Sequence, residues 1–285
     1  VSNHAKTSLV DTVAMAKNNQ TGEEFAYRCE APVEVVWENT PRQEPEEINE
    51  FELQYDNNFL VISQMGPRKN FNNTIKWFVE EFFDQEVGLV IKTNLKNNSK
   101  MDLIRTNNAL KNILSTYKER KCKVYLLHGD LKSSQMTWLY QHPKMCGLIN
   151  LSHGEGFGLP MFEAAREGLP VITIGWSGQL DFLHDEGRDY FQKVDFTMQP
   201  VGPDAVWQGV IEKEAMWAFA DQGSYKMTLR KTLKNIKKCR ATAKELQVIV
   251  NEKFSNERLY KLFIDEILGF DSSMISNIED EVVEF

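Results

Sequence analysis

Between residues 58 and 174 the chain keeps returning to one pattern: a short, mostly apolar run, then an amphipathic stretch of helical period. The runs are 59–63, 88–91, 123–127, 146–151 and 170–174. A strand that is apolar on both faces belongs to a parallel sheet covered on both sides, because only there is neither face left to water. After the first run, Phe71, Ile75, Phe78, Val79 and Phe82 fall on one helical face, with Asn70 as the expected N-cap. Leu103, Leu110, Ile113, Leu114 and Tyr117 mark a second helix near 101–119. Shorter helices are expected around Trp138 and between the fourth and fifth runs. The alternation predicts an α/β, Rossmann-like doubly wound parallel sheet, whose ligands sit beyond the carboxyl ends of the strands.

The flanks read differently. Residues 1–31 look like polar helix and loop, 33–37 like a short strand, and 41–52 (PRQEPEEINEFE) like an acidic, proline-bearing linker. Beyond about 204 strands are expected to give way to helices. There Lys226, Arg230, Lys234 and Lys238 share one helical face. That stripe is either a solvated face or, in the sharper reading, a contact with an anionic membrane surface. An acidic tail, 271–285, closes the chain.

Composition narrows the function classes. The 285 residues are 42% hydrophobic and 26% charged, as in an ordinary globular protein. Asp plus Glu number 41 against 33 Lys plus Arg, so the net charge of −8 argues against a nucleic-acid binder. No apolar run reaches the roughly 18 residues of a membrane span, and the start VSNHAKTSLVDT has no signal-peptide pattern. A cytoplasmic location is therefore expected, with a peripheral position at a membrane surface as the alternative. The missing initiator Met suggests processing or a truncated chain. Cys29, Cys122, Cys146 and Cys239 form no CxxC and read as free thiols.

One segment, 152–165 (SHGEGFGLPMFEAA), has its own chemistry. A buried strand ends at Leu151 and a helix should start near Gly158 or Leu159, with Pro160 in its first turn, where no N–H is needed. Glycines between strand and helix let a ligand approach the backbone, and the helix N-terminus offers unpaired N–H groups to a phosphate. The dinucleotide fingerprint fails because Leu159 stands where its third glycine belongs, and the Walker, GxSxG and zinc-deaminase patterns are also incomplete. Taken alone, such a turn serves equally as a tight connection.

The segment E-G-F-G-L-P-x-x-E, from Glu155 to Glu163, resembles the E-x7-E motif of retaining glycosyltransferases of the two-Rossmann-domain (GT-B) type, especially family 4. Glu167-Gly168-Leu169-Pro170-Val171-Ile172, followed by Gly178, resembles that family's next strand and glycine loop. The stretch 59–70 is similar to its G-R-L-x-x-x-K-N loop, and 127–131 (LHGDL) lies where the family meets the nucleobase. The resemblance implies the C-terminal, donor-binding half of a GT-B fold, with a helical C-terminal extension. Residues 1–40 would be the tail of an N-terminal acceptor domain and linker, 41–203 the nucleotide-sugar-binding domain, 204–270 C-terminal helices and 271–285 the tail.

The same resemblance implies roles. Glu155 and Lys69 would be the catalytic pair, Glu155 at the donor sugar and Lys69 neutralising the departing diphosphate. Gly156, Phe157, Gly158 and Leu159 would hold sugar and diphosphate through backbone N–H groups, Glu163 the ribose, and Leu131 the base edge. Where the family usually has Arg, this chain has Gln64, so Arg68 would either supply the second charge or point to solvent. No metal and no cofactor are implied. The donor would be a UDP- or GDP-linked sugar and the acceptor a glycan, lipid, protein or small molecule, with a missing N-terminal domain or a partner chain completing the enzyme. The alternatives are a nucleotide-sugar-binding module without turnover and another GT-B enzyme such as a phosphorylase or epimerase.

Overall fold

The computed structural model describes residues 1–268, so the acidic tail 271–285 lies outside the described residues. The chain opens with α1 (Asn3–Asp11) and an exposed hairpin, β1 (Val13–Lys17) and β2 (Glu24–Arg28). This hairpin replaces the expected loop. Its strands bury nothing, so no apolar face announced them. Residues 33–37, expected as a strand, pair with no strand. Trp37 acts instead as an anchor: its Nε1 donates to Asp181 at 2.7 Å and its ring meets Phe254 edge-on.

The sheet follows. Strands β3 (Asn58–Ile62), β4 (Gly88–Lys92), β5 (Lys123–Leu127), β6 (Met145–Asn150) and β7 (Val171–Ile174) alternate with α2 (Phe71–Glu81), α3 (Lys100–Leu114), α4 (Ser133–Gln141) and α5 (Leu159–Arg166). After the short α6 (Leu180–Leu183) and a two-residue hairpin, β8 (His184–Asp185) with β9 (Arg188–Asp189), comes a sixth parallel strand, β10 (Gln192–Val194). The order across the sheet is β10-β7-β6-β3-β4-β5, every pairing parallel. This is the doubly wound order of the Rossmann fold, reversing direction between β3 and β6.

The pleat divides the core. Phe59 and Val61 of β3 join Ile75, Phe78 and Phe82 on one side; Leu60 joins Leu148, Phe162 and Phe182 on the other. Each such side chain removed from water contributes about 1.5–3 kcal/mol. Asn70 precedes α2 in the left-handed region (φ 49°), and its side chain makes no cap. Its Oδ1 accepts from the Asn73 amide instead, while its backbone oxygen takes Thr74 N–H.

Beyond residue 204 strands do not stop. β11 (Phe196–Pro200) pairs antiparallel with β12 (Met216–Ala220), and only then come α7 (Gln222–Lys234), α8 (Ile236–Lys253) and α9 (Asn256–Leu268). The helix break at Asn235 divides the basic stripe. Lys226 and Arg230 are turned onto α2, pairing with Glu80 at 2.6 Å and Glu81 at 2.7 Å. No helix among the described residues is long and apolar enough to cross a membrane. Cys122, Cys146 and Cys239 are buried, Cys29 is half-buried, and all four are free thiols.

Candidate functional site

In an open parallel sheet, strands on either side of the reversal send their following loops apart and leave a crevice at their carboxyl ends. Here those loops are 63–70, after β3, and 151–158, after β6. They meet. Lys69 Nζ lies 2.5 Å from Glu155 Oε1, and Arg68 lies 2.9 Å from Oε2 while also donating to the Gly154 carbonyl. A backbone bond from His153 N–H to the Arg68 carbonyl at 2.8 Å ties the loops together. Burial penalises the Glu155 charge, but Lys69 and then Arg68 outweigh it and hold the carboxyl below its ordinary range. Two cations on one carboxylate leave the cluster with a positive excess. Arg68 reaches Glu155 with its side chain 42% exposed, whereas Gln64 donates to the Leu95 carbonyl at 3.0 Å.

The helix behind Glu155 begins as the sequence pattern requires. Gly158 caps α5 with φ 94°, a left-handed backbone that residues with a side chain rarely adopt and glycine adopts freely. The N–H groups of Gly156, Phe157, Gly158 and Leu159 donate to no partner among the described residues. Together with the helix dipole they form an anion-binding end. Gly156 is exposed, whereas the Phe157 ring is buried against Phe162 and Phe182 and leaves only its backbone to a ligand. Leu131 is half-buried against the core beside α4.

Glu163 lies a turn further in. Tyr140 donates to its Oε2 at 2.8 Å and Thr40 to its Oε1 at 3.5 Å. With no cation in hydrogen-bond contact, burial dominates and raises its carboxyl above the ordinary value. The two glutamates thus share a motif but not a cluster. A cleft of about 840 Å³ lies elsewhere, at the C-terminal end of α5 between Glu167, Arg240 and Lys244.

The residue that holds Glu155 in place carried no sequence signal. Ser177 has φ 87°, a strained conformation for a residue with a side chain, and its Oγ bridges the Glu155 backbone, accepting from N–H at 2.9 Å and donating to the carbonyl at 2.6 Å. Next to it, a Cβ on Gly178 would lie 2.0 Å from the Gly156 oxygen, so the two loops touch backbone to backbone. The N-terminus of α1 docks on the same loops, Asn3 N–H donating to Asp181 at 2.8 Å.

The fold is that of one Rossmann-like half of a GT-B architecture, with a helical extension. No family model matches the sequence, and no curated protein matches it either. Among solved structures, the apo form of OtsA, a trehalose-6-phosphate synthase, superposes with a TM-score of 0.53 at 9% identity over 90% of this chain and 56% of that one. Sucrose-phosphate synthase from Thermosynechococcus elongatus gives 0.50 at 16% identity, over 81% and 47%. At such identities the likeness is one of fold. The chain spans about half the length of both.

Proposed function

We propose that this chain carries the donor site of a retaining, metal-independent glycosyltransferase of the family 4 type, which moves a sugar from a nucleoside diphosphate to an acceptor hydroxyl. The reading rests on one observation: Lys69 and Arg68 pair with Glu155 at the switch point of the sheet, directly before the four unpartnered N–H groups of the α5 entry. A nucleoside diphosphate is the ligand whose charge that cluster complements. Its diphosphate would lie against Lys69, Arg68 and the start of α5, its ribose hydroxyls at Glu163, its base near Leu131.

As the C1–O bond breaks, its electron pair moves onto the diphosphate oxygen. Fixed cations stabilise that growing charge without reorganising, and this is where electrostatic catalysis is strongest. The acceptor oxygen bonds to C1 on the face the diphosphate leaves, and its proton passes to the departing oxygen. Glu155, kept ionised, supports positive charge near C1 and forms no covalent intermediate. Residues 1–40 would be the end of an acceptor domain and its linker, and the enzyme would work in the cytoplasm. The E-x7-E spacing and the Arg68–Lys69 turn support the family assignment.

Isothermal titration with UDP, GDP and ADP tests the proposal. At least one should bind, and Lys69→Ala should weaken it by about 1.5–3 kcal/mol, the range for a hydrogen bond to a charged group. Unchanged affinity in that variant removes Lys69 from the site.

A further inference from the structure

Next to the Glu155 cluster, a separate cleft of about 560 Å³ opens between the 65–67 turn, the start of α2 and the β11–β12 hairpin. None of Arg68, Lys69, Glu155 and Glu163 lines it. At its floor is His153, only 5% exposed. The ring is held on two sides: Trp217 stacks at 5.4 Å and Phe219 at 4.2 Å. Its Nδ1 is 2.8 Å from the Ala218 carbonyl, an atom that can only accept, so Nδ1 carries the proton. Burial, followed by the Arg68 charge, favours the neutral ring over the opposing pull of that carbonyl. Nε2 is then a lone-pair acceptor.

That acceptor has no partner among the described residues, and it is not one of the unpartnered atoms sealed from solvent. The open space that His153 lines is this cleft. Because Nε2 opens on the cleft, a hydroxyl entering that space can donate to it in place of water. The remaining walls suit a ligand rich in hydroxyls and C–H faces. Trp217 and Phe219, two residues apart on β12, present aromatic surface from one side of the strand. Asn72 adds an amide, Asp204 an acceptor and Lys76 a donor, so one charge of each sign faces the space. The balance fits a neutral molecule better than a phosphorylated one.

We propose that the His153–Trp217 cleft is a saccharide-binding site distinct from the nucleotide site, taking a neutral pyranoside with one hydroxyl donating to His153 Nε2. The assignment stands on the cleft's own residues. If the chain proved to bind no nucleotide, the cleft would keep its chemistry, and failure here would leave the donor site intact.

Saturation-transfer NMR on the full chain, with saturating UDP present, tests it using the methyl glycosides of α-glucose, α-galactose, α-mannose and β-N-acetylglucosamine. The expected result is transfer to the ring hydrogens of at least one glycoside, unchanged by UDP. It should be lost in Trp217→Ala and weakened about tenfold in His153→Phe, which keeps a ring but no acceptor, the usual worth of one buried hydrogen bond. Asn72→Ala, an exposed position, should weaken it too and guards against a Trp217 variant that fails to fold. The proposal is overturned if no glycoside shows transfer, if transfer survives in Trp217→Ala and Asn72→Ala alike, or if UDP displaces the sugar.

Discussion

Glu155 and Glu163 are the same residue type, eight positions apart in one motif, yet their surroundings push them in opposite directions. Glu155 is held ionised against its burial by Lys69 and Arg68. Glu163, equally withdrawn from water, meets only the hydroxyls of Tyr140 and Thr40 at hydrogen-bond range, and its carboxyl is raised. The contrast comes from position along α5. Glu155 precedes the helix and reaches the loop after β3, while Glu163 points from the helix toward α4 and the N-terminal linker. Pairs of carboxyls pushed apart in this way usually divide the work of a site. In the donor reading, the carboxylate held ionised by cations serves the reacting centre and the other serves the ribose hydroxyls.

The largest effect expected is on Glu155 itself. Glu155→Ala should lower the sugar-transfer rate by about 10²–10³-fold, the scale for removing a preorganised electrostatic group. Nucleoside diphosphate should bind at least as tightly, because Lys69 and Arg68 lose the carboxylate that both pair with. Steady-state kinetics beside calorimetry checks this, and a parallel loss of nucleotide affinity would dissolve the contrast between the two glutamates.

Next in size is the charge swap. With Lys69→Met the cation first responsible for lowering Glu155 is gone, and its pKa should climb, as when an opposite charge is withdrawn. Carboxyl-carbon NMR titration would register the climb while Glu163 stays put. A fixed Glu155 value would mean that Arg68 alone holds it.

A smaller effect concerns Glu163 and pH. Its folded-state value is raised, so its contribution to stability is complete at low pH and is lost as pH rises through that value. Glu163→Gln should therefore be at least as stable as the parent at neutral pH in urea denaturation, while the two converge in acid. Ribose binding needs the charged acceptor. Nucleotide affinity of the parent should fall on acidification from a higher pH than an ordinary glutamate would give, and the Gln variant should show no such fall.

Smallest is Tyr140→Phe. One hydrogen bond to Glu163 goes, worth about 1 kcal/mol, and because that bond lowers the carboxyl, its value should rise further. Glu155 should not respond. If it does, the two sites are coupled through α5.

Legibility in the sequence followed apolar content. The strands at 58–62, 88–92, 123–127, 145–150 and 171–174 lie within a residue or two of their apolar runs, because a strand covered on both faces is mostly apolar. β10 escaped notice: Gln192, Lys193 and Val194 are too few and too polar to mark an edge strand. The β1–β2 and β11–β12 hairpins were equally hidden, since most of their residues face solvent. The 33–37 run misled in the other direction: its β-branched residues form no paired strand, and Trp37 at its end anchors the segment on Asp181 and Phe254.

The sequence by itself determined the doubly wound sheet, the glycine turn into α5 and the residue types gathered there, because periodicity, glycine conformation and helix-end chemistry are local properties. Only the tertiary structure decided which charges meet. Lys69 and Glu155 are 86 residues apart, and nothing between them encodes a contact; it arises because β3 and β6 become neighbours where the strand order reverses. The same holds for Ser177 under the Glu155 backbone and for Trp217 against His153. Burial and neighbouring charge set the state of each carboxyl, and both are properties of the packed molecule.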